Sequence, residues 1–238
     1  MKKILMGTIC AMAMIAMLMP TPKKKEDPAS DSYARDRVVL LTGNQSSCTG
    51  VIIKAPSGKN YTLTAAHCRA LIEDAKIQAE LENGDIVLLD IIAVDIEHDL
   101  MLLSSASDAK SIAVAKEVSV HQHMHTMTHG GRFPSYRTDG EMLEERTLKV
   151  PGEPILTEED MANCPSTPFM SPEFDFVYGL VCVHTMTVHV STALVIPGSS
   201  GGPALDDKGN LIGIVSCSAN PFSGLVPLHE IYKFLEKM

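Results

Sequence analysis

From Tyr33 onward the apolar residues come in short runs broken by turn signals, and this pattern restricts the chain to a β-rich fold. Arg37 to Leu41 is the first such run. Gly50 to Lys54 and Asn60 to Thr64 read as two strands joined by the turn Ala55-Pro56-Ser57-Gly58-Lys59. Ile77 to Leu81 and Ile86 to Val94 flank Glu82-Asn83-Gly84-Asp85, whose Asn-Gly pair is a hairpin signal. Leu100 to Leu103 follows, and Ala65 to Ile72 predicts one or two helical turns. A second set opens at Glu117 to Met127 and resumes with Phe176 to His184, Thr187 to Leu194 and Leu211 to Cys217. Many short strands at this spacing predict an all-β barrel or sandwich. Between them, Gly130 to Pro172 is rich in Gly, Pro and Glu with little periodicity, and reads as long loops or an inserted lobe. At the end, Leu228, Ile231, Phe234 and Leu235 recur at helical spacing and predict a helix over 227–238 packed on the barrel.

A chain of 238 residues suits one compact unit or two small barrels sharing a cleft. Its apolar share of 45% excludes wholesale disorder. A net charge of −9, with no basic stripe past Lys25, argues against a nucleic-acid partner, since binding phosphates needs a basic face. Lys2 and Lys3 precede an uncharged run from Ile4 to Met19, about the length of a signal-peptide core and short for a membrane span. Export to the periplasm or beyond is therefore expected, with residues 1–20 as signal peptide or, held by Lys23-Lys24-Lys25, as a membrane anchor over residues 4–19. Residues 21–34 read as linker, and no room is expected after Lys237 for a further peptide-binding domain. Of six cysteines, Cys10 lies in the leader, and the remaining five imply at least one free thiol in an oxidising compartment. No Cys-x-x-Cys pair exists, so a zinc ribbon or thioredoxin-type site has no support.

Three segments carry chemistry. Thr64-Ala65-Ala66-His67-Cys68 follows a strand and opens a short helix. Asp95-Ile96-Glu97-His98-Asp99-Leu100-Met101-Leu102-Leu103 places two aspartates before an apolar strand. Pro197-Gly198-Ser199-Ser200-Gly201-Gly202-Pro203 has the glycines for a tight, exposed turn that aims backbone N–H groups at one point. A hydroxyl nucleophile needs a base for its proton, a group to hold that base in one tautomer, and donors for the oxyanion. These segments offer such parts in the order His, Asp, Ser.

The three segments resemble the histidine, aspartate and nucleophile motifs of the trypsin/chymotrypsin-like serine peptidases. The resemblance spans residues 35–235 and is strong at these motifs and thin between them. It implies an all-β fold of two six-stranded antiparallel barrels with a C-terminal helix. The first barrel, 35–115, would carry His and Asp; the second, 116–226, would carry Ser and the irregular stretch 130–172. It implies a triad of His67, Asp99 and Ser200, with Asp99 preferred to Asp95 because Asp-Leu-x-Leu follows it directly. The N–H groups of Gly198 and Ser200 would form the oxyanion hole. Leu211 to Ser218 resembles the strand beside bound substrate, with Ser216 supporting the aspartate and Cys217 and Ser218 offering backbone groups. Leu194 and Val195 would approach the base of the specificity pocket, with Ser218 and Gly224 on its walls. No acid lies there and no histidine replaces Val215, so a small or medium apolar residue is expected before the cut.

Cys48 and Cys68 sit where the family joins the histidine loop to the preceding strand by a disulfide. Cys164–Cys182 is a further expected pair, leaving Cys217 buried and free. Ser199 stands where zymogen-activated members carry an aspartate, and no Ile-Val-Gly-Gly start is present. The chain therefore looks more like the bacterial branch, such as the Deg-type (high-temperature-requirement) proteases and glutamyl endopeptidases. The implied function is a serine endopeptidase working on protein or peptide substrates through an acyl-enzyme, without cofactor or metal. Its activity would fall below about pH 6–7, where a typical histidine protonates. The alternative is an inactive trypsin-like binding protein. A lipase-type hydrolase is disfavoured, because its nucleophile elbow needs Gly-x-Ser-x-Gly in an α/β pattern with His last.

His121, His123, His125 and His129 form a second cluster; on a strand the first three would share a face. A polar strand face is the favoured reading, with a zinc site as its rival. His98 reads as an exposed neighbour without a role, and Glu141, Glu144 and Glu145 as solvated surface.

Overall fold

The computed structural model describes residues 29–43, 46–71, 76–108, 110–132, 135–154, 161–162, 164, 169–170, 180–219 and 221–238. The expected leader and most of the expected linker lie outside these residues. No described helix is long and apolar enough to cross a membrane.

Six strands close the first barrel: β1 (Val38–Gly43), β2 (Ser46–Lys54), β3 (Asn60–Thr64), β4 (Lys76–Glu80), β5 (Ile86–Asp95) and β6 (Leu100–Leu103), in the order β1-β2-β3-β6-β5-β4. β1 pairs antiparallel with both β2 and β4, which removes every open edge. A connector crosses to the second sheet, making bridges from Ile112 to Ile53 and from Val114 to Leu211. That sheet holds β7 (His123–Thr128), β8 (Tyr136–Pro154), β9 (Phe169–Met170), β10 (Leu180–Ser191), β11 (Pro203–Leu205), β12 (Leu211–Ala219) and β13 (Phe222–Pro227). Its order is β13-β12-β11-β7-β8-β10-β9, and a β13–β10 pairing brings six of the strands round into a ring with the two-residue β9 appended. The fold is thus the double barrel expected.

The continuous apolar runs of the first barrel have a physical cause. β6 is buried along its whole length. Leu100 and Leu102 pack in a cluster shared with Met127, Met186, Val188 and Ile214 of the second barrel, whereas Met101 and Leu103 pack with Leu41, Ile52 and Leu89 inside the first. Side chains alternate across a strand, so a strand with a core on both faces needs apolar residues at every position. The same holds for β2, where Val51 and Ile53 face the seam and Ile52 faces the barrel interior. Truncating such a buried leucine to alanine costs about 2–5 kcal/mol. Two helices seal the seam. α1 (Ala29–Arg35) inserts Ala34 into it, and α2 (Leu228–Leu235) inserts Ile231, Phe234 and Leu235.

The stretch expected to be irregular instead contains the longest strand described. β8 pairs in register with β7 from Tyr136 to Glu141, and with β10 from Met142 to Pro154 with register shifts at Val181/Val183 and His189/Ser191. Its pairing comes from backbone hydrogen bonds, and its many exposed charged residues hide any apolar period. The two expected strands at 176–184 and 187–194 merge over their described part into one strand, β10, which ends at Ser191 rather than Leu194.

Candidate active site

His67 lies on a one-to-two-turn 3-10 segment, Ala66–Leu71, directly after β3, and Asp99 lies on the turn that enters β6. Because β3 and β6 are paired, with Thr64 opposite Met101, the two residues meet at the end of the seam. Both oxygens of the Asp99 carboxylate stand 3.0 Å from His67 Nδ1, and Oδ1 also accepts from the His67 backbone N–H at 2.9 Å. Ser216 of β12 donates its hydroxyl to Asp99 Oδ2 at 2.5 Å. Asp99 is 1% exposed and adopts φ +54°, a left-handed conformation that few non-glycine residues tolerate. The bonds from His67 and Ser216 hold it there. Asp95, the rival acid, bonds His98 and is not in this set.

Burial opposes the charge on Asp99, but the His67 charge and the hydrogen bonds from His67 and Ser216 outweigh it and hold the carboxyl below its ordinary range. Burial likewise works against a protonated His67; the Asp99 charge and hydrogen bond prevail and raise its pKa above the usual 6.5. Nδ1 faces Asp99, so Nε2 is the ring nitrogen left for other chemistry.

Ser200 sits in the turn between β10 and β11. Gly201 there has φ +80°, and a Cβ on it would lie 2.0 Å from Thr64 Oγ1 and 2.2 Å from the Thr49 carbonyl. Only glycine lets the two barrels approach this closely. Across the same contact, Thr49 N–H donates to the Ser200 carbonyl at 2.8 Å. Three N–H groups of the turn have backbone acceptors: Ser199 bonds Ile196, Gly201 bonds Val215 and Gly202 bonds Ser199. The N–H groups of Gly198 and Ser200 have none among the described residues. Their peptide planes are nevertheless fixed from the carbonyl side. Pro197 C=O accepts from Gly131 N–H at 2.7 Å, and Ser199 C=O accepts from Gly202 N–H at 3.0 Å. Since C=O and N–H point oppositely across a trans peptide, these bonds aim both N–H groups the other way.

The same fold is matched by solved proteases that share little of the sequence. The Rv3671c protease from M. tuberculosis, active form, superposes with a TM-score of 0.66 at 18% identity, covering 89% of this chain and 86% of that one. The serine endoprotease from Yersinia pestis gives 0.61 at 18%, covering 87% and 64%. The HtrA-type protease AlgW with tripeptide gives 0.63 at 17%, covering 87% and 62%. No curated protein is detectably similar in sequence. Residues 48–214 match the trypsin-like peptidase domain. The chain belongs to the trypsin-like peptidase family.

In this peptidase the expected Cys48–Cys68 disulfide is present and ties β2 to the His67 segment across 20 residues. Closing a loop of that length contributes about 3 kcal/mol in the chain-entropy account. Cys164 is disulfide-bonded, while the side chain of its expected partner Cys182 lies outside the described set. Cys217 is free but half-buried rather than fully buried; burial and the Asp99 charge push its thiol up to about 11. Its Sγ stands 2.6 Å from where a Gly224 Cβ would be, so any larger residue there would have to displace the Cys217 side chain. Leu194 is 62% exposed, Val195 half-buried and Ser218 exposed.

Several supporting residues carry no sequence signal. Ser199 is 1% exposed, and its Oγ lies 3.0 Å from Thr128 Oγ1 and 3.1 Å from Tyr136 Oη while accepting from Ile196 N–H. This neutral network occupies the place of the zymogen-type aspartate. Thr49 donates its hydroxyl to the Gly198 carbonyl at 2.8 Å and accepts from His129 N–H at 2.9 Å.

Of the three histidines expected to share a strand face, His123 and His125 do so on β7, whereas His121 lies outside the strand. His121 precedes β7 with φ +66° and bonds Glu141, His123 is exposed and bonds Asp207, and His125 is 1% exposed with both ring nitrogens unpartnered. Arg137, bonded to Asp31 and Asp139, sits beside His125, and its charge opposes a metal cation. His98 is not a bystander: it is half-buried between Asp95 and Glu230.

Proposed function

We propose that the chain is a serine endopeptidase that hydrolyses peptide bonds through an acyl-enzyme on Ser200. The reading is carried by one observation: among the described residues, the two N–H groups that an oxyanion would need, of Gly198 and Ser200 in the turn, have no backbone acceptor. His67, oriented through Nδ1 by Asp99, supplies Nε2 as general base. Ser200 Oγ attacks the substrate carbonyl as its proton passes to His67. The oxyanion accepts from Gly198 and Ser200, and His67 then protonates the leaving amine. Water repeats the sequence on the acyl-enzyme. These roles follow the general Ser-His-Asp scheme. Among the described residues, the hydrogen bonds of His67 run to Asp99, and those of Ser200 are made by its carbonyl. The scheme requires a Ser200–His67 bond in the substrate complex, where catalytic hydrogen bonds often tighten.

Bound peptide would lie along β12, with Ser216, Cys217 and Ser218 offering backbone groups and a small or medium apolar residue filling the pocket near Val195 and Gly224. The positive start, the apolar run 4–19 and the disulfides support export. N-terminal sequencing of the mature product tests that part, and an intact cytosolic Met1 defeats it. The inactive-binder alternative is not favoured, because all three triad positions keep reactive residues. Ser200→Ala is expected to abolish peptide turnover while leaving the thermal midpoint near wild type. Full turnover in a clean Ser200→Ala preparation refutes the assignment.

A further inference from the structure

The Sγ atoms of Cys48 and Cys68 and a ring nitrogen of His67 lie within 4.8 Å of one another. We propose that reduction of the Cys48–Cys68 disulfide turns these residues into a Cys2His site for a thiophilic divalent cation such as zinc, and that the bound ion shuts the peptidase off.

Tetrahedral zinc has Zn–S of about 2.3 Å and Zn–N of about 2.0 Å, so its ligand atoms stand about 3.5–3.8 Å apart. The two sulfurs, bonded to each other in the disulfide, must part to about that spacing once reduced, and their Cα atoms are 6.2 Å apart. The second shell is already built. Zinc-bound histidines donate their other ring N–H to a carboxylate, and His67 Nδ1 does so to Asp99, which Ser216 secures in turn. Nε2 is then the metal ligand. Cys48 and Cys68 are 6% and 1% exposed, a dry setting in which a cation neutralised by two thiolates is well placed. Three protein ligands leave a fourth position open, and the Ser200 carbonyl is 3.9 Å from Cys68 Sγ. Cys217 is not one of the grouped ligands, which are Cys48, Cys68 and His67.

The chemistry balances. Two molecules of a low-molecular-weight thiol reduce the disulfide and leave as their own disulfide. Zinc binding then releases the two Cys protons to solvent without any change in the metal's oxidation state. Inhibition rests on the base role proposed for His67; metal binding does not.

The test uses the full chain as Ser200→Ala, reduced with a phosphine and titrated with cobalt(II), then zinc. One equivalent of cobalt with a near-ultraviolet thiolate charge-transfer band, displaced by zinc and absent from the oxidised protein, is expected. His67→Ala should weaken binding at least tenfold, and Cys217→Ser should leave it unchanged. No band, an undiminished band in His67→Ala, equal binding by Cys48→Ser/Cys68→Ser, or loss of the native circular dichroism on reduction overturns the proposal. In reduced wild-type protein, zinc should block fluorophosphonate labelling of Ser200 and a chelator should restore it; labelling undiminished by bound zinc overturns the inhibitory half. If cobalt binds as described but neither oxidised nor metal-free reduced protein labels, the metal site stands and the triad reading fails.

Discussion

Thr49 offers the sharpest test of how the seam builds the site. It is fully buried on β2, in the first barrel, yet its hydroxyl grips the Gly198 carbonyl in the second, and its backbone N–H grips the Ser200 carbonyl. Thr49→Val keeps the shape and the backbone bond but deletes the hydroxyl. The bond to the Gly198 carbonyl is lost, at about 0.5–1.5 kcal/mol, and the buried His129 N–H loses its acceptor, at about 1–3 kcal/mol. A methyl group would also press on the Gly198 carbonyl from 2.8 Å. The unfolding free energy should fall by about 2–4 kcal/mol, or roughly 5–15 °C in Tm for a chain of this size. Loss of a whole oxyanion donor lowers kcat by about 10²–10³; a loosened Gly198 peptide should lower it by about tenfold or more, with KM little changed. Thr49→Ser, which retains the hydroxyl, should recover most of kcat. Thermal melts and steady-state kinetics on a peptide substrate measure both effects. A Thr49→Val protein as stable and as fast as wild type refutes the idea that this hydroxyl positions the turn.

Two further outcomes concern pH. Because Asp99 raises the His67 pKa, the acid limb of kcat/KM should have its midpoint above 6.5, and Asp99→Asn should move it down; a midpoint well below 6.5 contradicts the ion pairing. His125 is shifted the opposite way, by burial and then by Arg137, so the unfolded chain takes up its proton first. Stability from the neutral ring is therefore present above about pH 6.5 and is lost as pH falls toward the lowered folded value. The groups facing it are Arg137 and Asp139 on β8, Asp31 on α1 and His123 on β7. His125→Leu should raise Tm near pH 5.5 and flatten its pH dependence between pH 5 and 7; an unchanged slope argues that another group governs acid stability.

The parts of this fold that show in the sequence are those whose local chemistry decides them. β3 and β6 fall where short apolar runs end at turn residues, and α2 follows from the spacing of Leu228, Ile231, Phe234 and Leu235. β8 does not show, because consecutive residues from Glu144 to Thr147 are exposed, which leaves no apolar period, and its order comes from two neighbouring strands. α1 begins within the expected linker, and tertiary contacts account for its docking: Ala34 buried at the seam, the Asp31–Arg137 pair and the Tyr33 hydroxyl on the Ser111 carbonyl. In the site, His67, Asp99 and Ser200 stand out because each lies in a distinctive segment. Thr49, Gly131 and the Ser199–Thr128–Tyr136 hydroxyls act through tertiary contacts between residues far apart in the chain, so nothing beside them marks their roles.

The central claim is that Ser200 is made nucleophilic by His67 while Asp99 holds the ring. Mass spectrometry of the oxidised protein after reaction with a fluorophosphonate reads this directly. Stoichiometric adduct on Ser200 in the wild type, with modification at least a hundredfold slower in His67→Ala, is the result expected. Equal labelling of the two proteins, or an adduct on another serine, would contradict it.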